Sequence, residues 1–194
     1  MCNFFLCDKK CPYKKCSVNP SQNHAYIHSK RNSGPLELYS QIPTNDILLV
    51  FEAPGIDEWS KGEPICSKRI GSAGYKFNAE LRAQGKIKSN YDIVEAVRCF
   101  PGTSTTTTHQ KNDAELEIAA TYCEKYLRDI ILSKNYKKIV CFGKIAEKSV
   151  QSIMGQLQRK KHPYYTRQFQ SLGIVNLVHP MKNKNLSQDI NMYL

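Results

Sequence analysis

Four consecutive apolar residues, Ile47 to Val50, run into Phe51-Glu-Ala-Pro-Gly55, with acids following at Asp57 and Glu58. The run reads as a buried strand, and the Pro-Gly pair ends it in a tight turn. In an open α/β sheet, ligands bind outside the carboxyl ends of the strands. The segment therefore places carboxylates where a site is expected. Taken alone, the same residues equally describe a strand ending in a solvated acidic turn.

Downstream, strand and helix patterns alternate. Ala73 to about Lys86 reads as a helix with Phe77 and Leu81 on one face, and Tyr91 to Val97 as a second strand. Asp113 to about Ser133 repeats Leu116, Ala119 or Ala120, Cys123, Leu127 and Ile130 or Ile131 at helical spacing. Lys138 to Phe142 is a third strand, Ile145 to Met154 a helix stopped by Gly155, and Ile174 to Val178 a fourth strand ending at His179-Pro180. This order predicts a three-layer α/β/α fold around a mostly parallel, four-stranded central sheet. One domain over residues 1–194 is expected, with 1–20 a Cys/Lys-rich segment and 21–45 a loop-rich connection carrying Gly34-Pro35 and Pro43.

Charge narrows the partners. Lys and Arg number 28 against 17 Asp and Glu, a net charge of +11. That balance favours polyanions, nucleic acid first, although a generally lysine-rich composition would also produce it. The densest cation run, Arg159-Lys-Lys-His-Pro-Tyr-Tyr-Thr-Arg167, mixes cations with aromatic rings as nucleic-acid backbone binders do. It lies between the third and fourth strands, where a loop is expected. Arg159, Lys160, Lys161 and Arg167 are the expected phosphate contacts. No run approaches the roughly 18 apolar residues of a membrane span, and no signal-type segment stands at the start. A cytosolic monomer with DNA and no membrane as partner is the expectation.

Four of the eight cysteines, Cys2, Cys7, Cys11 and Cys16, crowd into the first sixteen residues. A cytosolic chain does not keep structural disulfides, so a metal or cluster is the better reading of that crowding. Cys141, inside Lys138-Ile-Val-Cys-Phe142, reads as a small core residue. Cys66 stays ambiguous.

In this order the chain resembles the iron–sulfur uracil-DNA glycosylases, family 4 with family 5 close behind. The residues that carry the likeness are Phe51-Glu-Ala-Pro-Gly-Ile-Asp-Glu58, Gly62-Glu-Pro-Ile65, Ile70-Gly-Ser-Ala-Gly74, Val97-Arg-Cys-Phe-Pro101, Cys123-Glu-Lys-Tyr-Leu127, Val140-Cys-Phe-Gly-Lys-Ile-Ala146 and His179-Pro180. An apparent insertion near Cys66-Ser-Lys-Arg69 splits the second from the third. The likeness covers roughly residues 1–185.

The resemblance implies a [4Fe–4S] cluster on four thiolates. Cys99 and Cys123 fall on two of the family's ligand positions, and Cys7 with Cys11 on the N-terminal pair; Cys11 with Cys16 is the alternate pair. A self-contained four-thiolate site of zinc or cluster type from Cys2, Cys7, Cys11 and Cys16 stays open. The resemblance also implies Glu58 and His179 as the catalytic pair. Glu58 would orient water and steady a cation-like sugar, and His179 would face the leaving base and the sugar. Glu52, Ala53, Pro54 and Gly55 would line the base pocket.

Two departures bear on specificity. The family's base-reading Asn falls on Glu95, and its base-stacking Phe on Ile65 or, depending on where the insertion lies, Ile70. An ionised Glu95 would accept from an amino-bearing base; a buried, protonated Glu95 would regain a donor for a carbonyl. A third possibility is a small register shift that points Glu95 into solvent or toward Arg98 in an ordinary salt bridge.

The expected function is thus an iron–sulfur DNA glycosylase that flips uracil or an altered base and hydrolyses its N-glycosidic bond. A DNA-binding module without catalysis, and an enzyme of the same fold acting on a free nucleotide or nucleoside, are the alternatives.

Overall fold

The computed structural model describes residue 11 and residues 35–101, 113–160 and 172–194. Four strands form one sheet: β1 (Ile47–Phe51), β2 (Asp92–Glu95), β3 (Lys138–Phe142) and β4 (Gly173–Leu177). Their order is β2-β1-β3-β4, and every pairing is parallel. Helices α1 (Ile56–Lys61), α2 (Ala73–Ala83), α3 (Asp113–Ser133), α4 (Lys144–Arg159) and α5 (Leu186–Tyr193) accompany the sheet.

Strand side chains alternate between faces. Leu48, Val50, Val94, Ile139 and Cys141 pack with α3 and α4 through Leu116, Leu127, Val150 and Ile153. Leu49, Phe51, Ile93, Val140 and Phe142 pack on the other face with Phe77 and Leu81 of α2 and with Leu186 and Ile190 of α5. Helices therefore cover both faces, which explains why the strands read as near-continuous apolar runs. Cys141 is fully buried and its thiol is pushed up to about 12, chiefly by burial, as befits a core residue. Among the described residues, no helix is long and apolar enough to cross a membrane.

The structure departs from the sequence expectation at several points; the second strand, expected over Tyr91 to Val97, spans only Asp92–Glu95. Gly155 does not stop α4, which continues to Arg159. The buried stripe of Val150, Ile153 and Met154 continues through Leu157, and burying one more leucine outweighs the roughly 1 kcal/mol that a mid-helix glycine costs. Helices α1 and α5 carry too little periodic signal to be expected; each is held by tertiary burial, of Glu58 and Trp59 in one and of Leu186 and Ile190 in the other. Helix α2 ends three residues earlier than expected, where Gly85 adopts φ 65° and the Lys86 amide bonds the Leu81 carbonyl.

The strand order fixes where a ligand can bind. After β1 the chain turns to one side of the sheet to make β2; after β3 it turns to the other side to make β4. The carboxyl ends of β1 and β3 thus flank the topological switch point. At the opposite edge, Asp92 is buried and engaged by Lys134 Nζ at 2.6 Å, Tyr136 Oη at 2.7 Å and Asn45 Nδ2 at 3.2 Å. That carboxylate is a structural anchor.

Candidate functional site

A cleft of about 290 Å³ opens at the carboxyl edge. Glu52, Ala53, Pro54, Gly55, Glu58, Ile65, Glu95 and His179 all line it. They come from the ends of β1, β2 and β4, from α1 and from the loop before α2. Phe51 lines the cleft and is backed by two buried rings: it stacks on Phe142 with centroids 4.6 Å apart, and Phe77 meets both edge-on at 5.1 and 5.3 Å. Such pairs contribute about 0.5–1.5 kcal/mol each beyond area burial.

Glu58 lies in the first turn of α1, buried. Its Oε1 accepts from the Ser67 amide at 3.1 Å. Gly55 and Gly74 leave room for it: a Cβ on Gly55 would stand 2.6 Å from Oε2, and one on Gly74 2.7 Å from Oε1. The two glycines of the Pro-Gly turn and of the α2 start are needed here for close approach to a carboxyl group.

Asp57, beside it, also lines the cleft and is held by side chains. The Ser67 hydroxyl donates to Asp57 Oδ2 at 2.5 Å, and Arg69 Nη2 pairs with Oδ1 at 3.0 Å. The hydroxyl first, then Arg69, holds this carboxyl below its usual range. Ser67 does not stand out in the sequence, because Cys66–Arg69 reads as an insertion. It is the central tie of the loop, binding Glu58 through its backbone, Asp57 through its hydroxyl, and accepting from the Ser72 hydroxyl at 2.9 Å. Ser72 caps α2, accepting from the Tyr75 amide at 3.1 Å, and a Ser ahead of a helix is the one legible signal in this loop.

Glu52 does more than lend its backbone. Its Oε1 accepts from the Ile145 amide at 3.2 Å, capping the N-terminus of α4 across the switch point. The side chain occupies the space beside Gly143, whose φ of 100° is open to glycine.

Glu95 ends β2 and is 2% exposed. Neither carboxyl oxygen finds a hydrogen-bond partner among the described residues. Burial, and after it the neighbouring Glu58, push this carboxyl well above the usual carboxylate range; Lys88 opposes the shift and Glu52 adds to it. The salt bridge to Arg98 is not formed. Arg98 turns away, pairs with Glu37 at 2.8 Å and donates to the Leu36 carbonyl at 2.6 Å. Two carboxyls that line the cleft, Asp57 and Glu95, thus have their affinities for protons pushed in opposite directions.

His179 stands at the end of β4, and its Nδ1 accepts from the Met181 amide at 3.3 Å. The neutral ring then carries its proton on Nε2. Ile65, the position of the expected stacking residue, is buried and has φ 50°. A β-branched residue there is strained by about 1–3 kcal/mol; Asn78 Nδ2 holds its carbonyl at 2.7 Å. Ile70, the alternate position, is 83% exposed and outside the cleft.

Two hollows adjoin. One of about 660 Å³ shares Glu52, His179 and Met181 with the cleft and adds Lys144 and Lys182 together with the acids Asp113, Glu117 and Glu147. The other, about 460 Å³, shares Ile65 and Ser67 and is lined by Lys61, Lys68, Arg82 and Lys88 against one acid, Glu63. Cys66 lines this second groove; burial first, then Glu58 and Glu63, push its thiol up to about 11, so it is not a thiolate nucleophile at neutral pH.

The cation run lies elsewhere. Arg159 is the last residue of α4 and Lys160 its C-cap, not a loop; Lys161 and Arg167 lie outside the described residues. Since β3 and β4 are parallel, α4 returns to the amino edge, and its 16 residues, at roughly 1.5 Å each, carry Arg159 about 24 Å from the switch point. Cations at a helix C-terminus also complement its dipole.

Of the expected cluster ligands, Cys7 and the alternate Cys16 lie outside the described residues. Cys11, Cys99 and Cys123 are all buried. Cys11 and Cys99 share an apolar cluster with Leu36 and Phe100, on the face covered by α3. Arg98 stacks on the Tyr126 ring at 3.5 Å, which brings the segment of Cys99 against the turn of α3 next to Cys123. Among the described residues, no three ligating side chains gather closely enough for a single metal ion. A cubane takes one thiolate on each of four irons, so its ligands stand further apart than those of one zinc. The three buried thiols are of the donor type that such a cluster takes. Comparison of the chain with protein-family models and with curated proteins finds no match.

Proposed function

We propose that the chain is a DNA glycosylase resembling the iron–sulfur uracil-DNA glycosylases, which hydrolyses the bond between a flipped base and its sugar. One observation carries the reading: Glu58, Glu95, His179 and the Glu52-to-Gly55 turn converge on a single base-sized cleft at the switch point of a parallel sheet. Sequence order and cleft geometry support the same assignment independently.

In the reaction, the C1′–N bond breaks with its electron pair leaving on the base. Glu58 steadies the cation-like sugar and orients the water whose oxygen adds to C1′. His179, with its proton on Nε2, donates to the base oxygen on which negative charge develops. The water's remaining proton leaves through Glu58, and the base takes up one proton. Cys11, Cys99 and Cys123, with Cys7 or Cys16, would hold a [4Fe–4S] cluster that cross-links the N-terminal segment to α3 and the β2 loop. The basic groove of Lys61, Lys68 and Arg82 supplies a phosphate path beside the cleft.

Incubation with single-stranded and duplex oligonucleotides carrying a panel of modified bases, followed by alkaline cleavage of abasic sites, tests the reading. Strand breaks at one or more modified bases are expected; none with any base would overturn it. A second reading, hydrolysis of a free nucleoside, is favoured by the remoteness of Arg159 and Lys160 from the cleft. Release of base from nucleosides but not from oligonucleotides would select it.

A further inference from the structure

Glu95 presents a group that the fold itself does not use. Its carboxyl lies on the wall of the cleft, 2% exposed, with neither oxygen bonded to any described residue. A buried polar group without partners costs about 1–3 kcal/mol, and more if charged. Folding tolerates such a cost where a ligand completes the bonding. The surroundings determine the form of the group. Glu58 from α1 and Glu52 from the end of β1 face it with like charge; Lys88, from the short 3-10 turn before β2, is the cation that opposes them. Asp57 and Arg69 on the cleft wall neutralise each other at 3.0 Å, and His179 completes the titratable lining. Two acids against one cation, in a buried position, favour the uncharged acid.

We propose that Glu95 is the edge reader of the cleft and acts as a neutral carboxylic acid, pairing with a planar ligand that presents one hydrogen-bond donor beside one acceptor. The acid offers an O–H donor and a C=O acceptor on the same side. A lactam edge, N–H next to carbonyl, as in uracil, completes both bonds at once. Because no described residue fixes which oxygen holds the proton, the reversed order, a ring nitrogen beside an amino group, as in cytosine, is met equally well. Glu95 therefore selects for a donor–acceptor pair and does not itself separate keto from amino bases. The identity of the ligand as a nucleobase rests on the glycosylase reading; the pairing rule rests on Glu95.

The test uses the full chain and single-stranded oligonucleotides containing one uracil, 3-methyluracil or cytosine. Equilibrium binding and base release are read separately. Methylation at N3 removes the donor, so wild type should bind 3-methyluracil at least about tenfold more weakly than uracil, the loss of roughly one good hydrogen bond. Uracil and cytosine should bind within a few-fold of each other. Glu95→Gln, a neutral shape mimic with one donor and one acceptor side, should keep the methyl discrimination, and Glu95→Ala should abolish it. Raising pH should erode the discrimination in wild type but not in Glu95→Gln. Indifference of wild type to N3-methylation, or discrimination that persists in Glu95→Ala, overturns the proposal. So does a strong cytosine preference that Glu95→Gln removes, since that marks an ionised acceptor. If discrimination in binding follows Glu95 while no base is ever released, the glycosylase reading fails and the edge-reading role stands. If base is released and Glu95→Ala ranks the bases as wild type does, the edge reader fails and the glycosylase stands.

Discussion

The backbone N–H of Ser67 donates to Oε1 of Glu58 at 3.1 Å, and Gly74 lies so close to the same oxygen that a Cβ there would stand 2.7 Å away. Glu58 is thereby positioned by a backbone donor and by the absence of a side chain. The amide of Ser67, at 3.0 Å from that Cβ, and the Ile65 carbonyl carbon, at 3.3 Å, leave it no room to give way. Gly74→Ala should therefore move the carboxyl without changing its chemistry. Base release should fall by roughly 10²-fold, as for a displacement of about 1 Å. Glu58→Gln keeps the shape and removes the charge, and should lower release by roughly 10²–10⁴-fold. Both variants should bind DNA as wild type does in an anisotropy titration. Full release by Glu58→Gln would show that the carboxylate is not used.

Glu95 makes a prediction about stability that needs no substrate. Its carboxyl keeps its proton in the folded protein at pH values where the unfolded chain, with a glutamate pKa of roughly 4.3, has lost it. The folded state then binds more protons than the unfolded state, so stability falls as pH rises from the unfolded value towards the raised one. The slope is at most about 1.36 kcal/mol per pH unit for one group. Asp57 has the opposite sign: its carboxyl is held low, so its contribution is present above the usual carboxylate range and lost on acidification. Comparing Glu95→Gln with wild type cancels Asp57. The variant should gain on wild type as pH rises above the ordinary glutamate range, measured by chemical denaturation. A difference that does not change with pH above the glutamate range would mean that Glu95 titrates normally.

The cysteine assignment predicts a coloured iron protein. Arg98 and Tyr126 stack at 3.5 Å, and Cys99 and Cys123 lie beside them, buried at 4% and 8% exposure. Cys99→Ala and Cys123→Ala should each lose most bound iron and the visible absorbance of an iron–sulfur cluster, while Cys141→Ala should keep both. Metal analysis beside the visible spectrum is the measurement. Colourless protein with stoichiometric zinc, unchanged by Cys99→Ala, would return the metal to the N-terminal cysteines alone.

Elements with strong periodicity are legible in the sequence because one physical cause produces both pattern and structure. The all-apolar Ile47 to Val50 is covered on both faces, and its Pro-Gly stop is the cleft wall. The burial of Leu116, Cys123 and Leu127 follows from their helical spacing. Features set by long-range packing are not legible. Nothing local marks Ser67, whose importance arises when α1 and the start of α2 meet. Gly155 reads as a stop, and burial of Leu157 overrides it. The run at Arg159 is conspicuous in sequence, yet its distance from the cleft follows from the crossover direction of α4, which depends on β3 and β4 being parallel neighbours. Glu95 is legible as a departure, whereas its protonation state depends on Glu58 and Glu52, which come from other elements.

That crossover direction supplies the last prediction, which concerns phosphate binding. On the glycosylase reading, DNA seated on the cleft would pass the groove of Lys61, Lys68, Arg82 and Lys88, where four cations face one acid. Lys160 stands at the far end of a helix about 24 Å long by its rise of roughly 1.5 Å per residue. That exceeds the Debye length of about 8 Å at physiological salt, so Lys160 contributes little to a strand held at the cleft. Lys68→Ala and Arg82→Ala together should lower the magnitude of the log–log salt slope of duplex binding by roughly 0.9 for each phosphate left without its cation. The weakening should be similar for every sequence, because cations on phosphates position the strand without reading it. Lys160→Ala should leave the slope near the wild-type value. If instead Lys160→Ala flattens the slope and the Lys68/Arg82 double variant does not, the strand runs along the amino edge. The cleft would then bind something other than a base held in that strand.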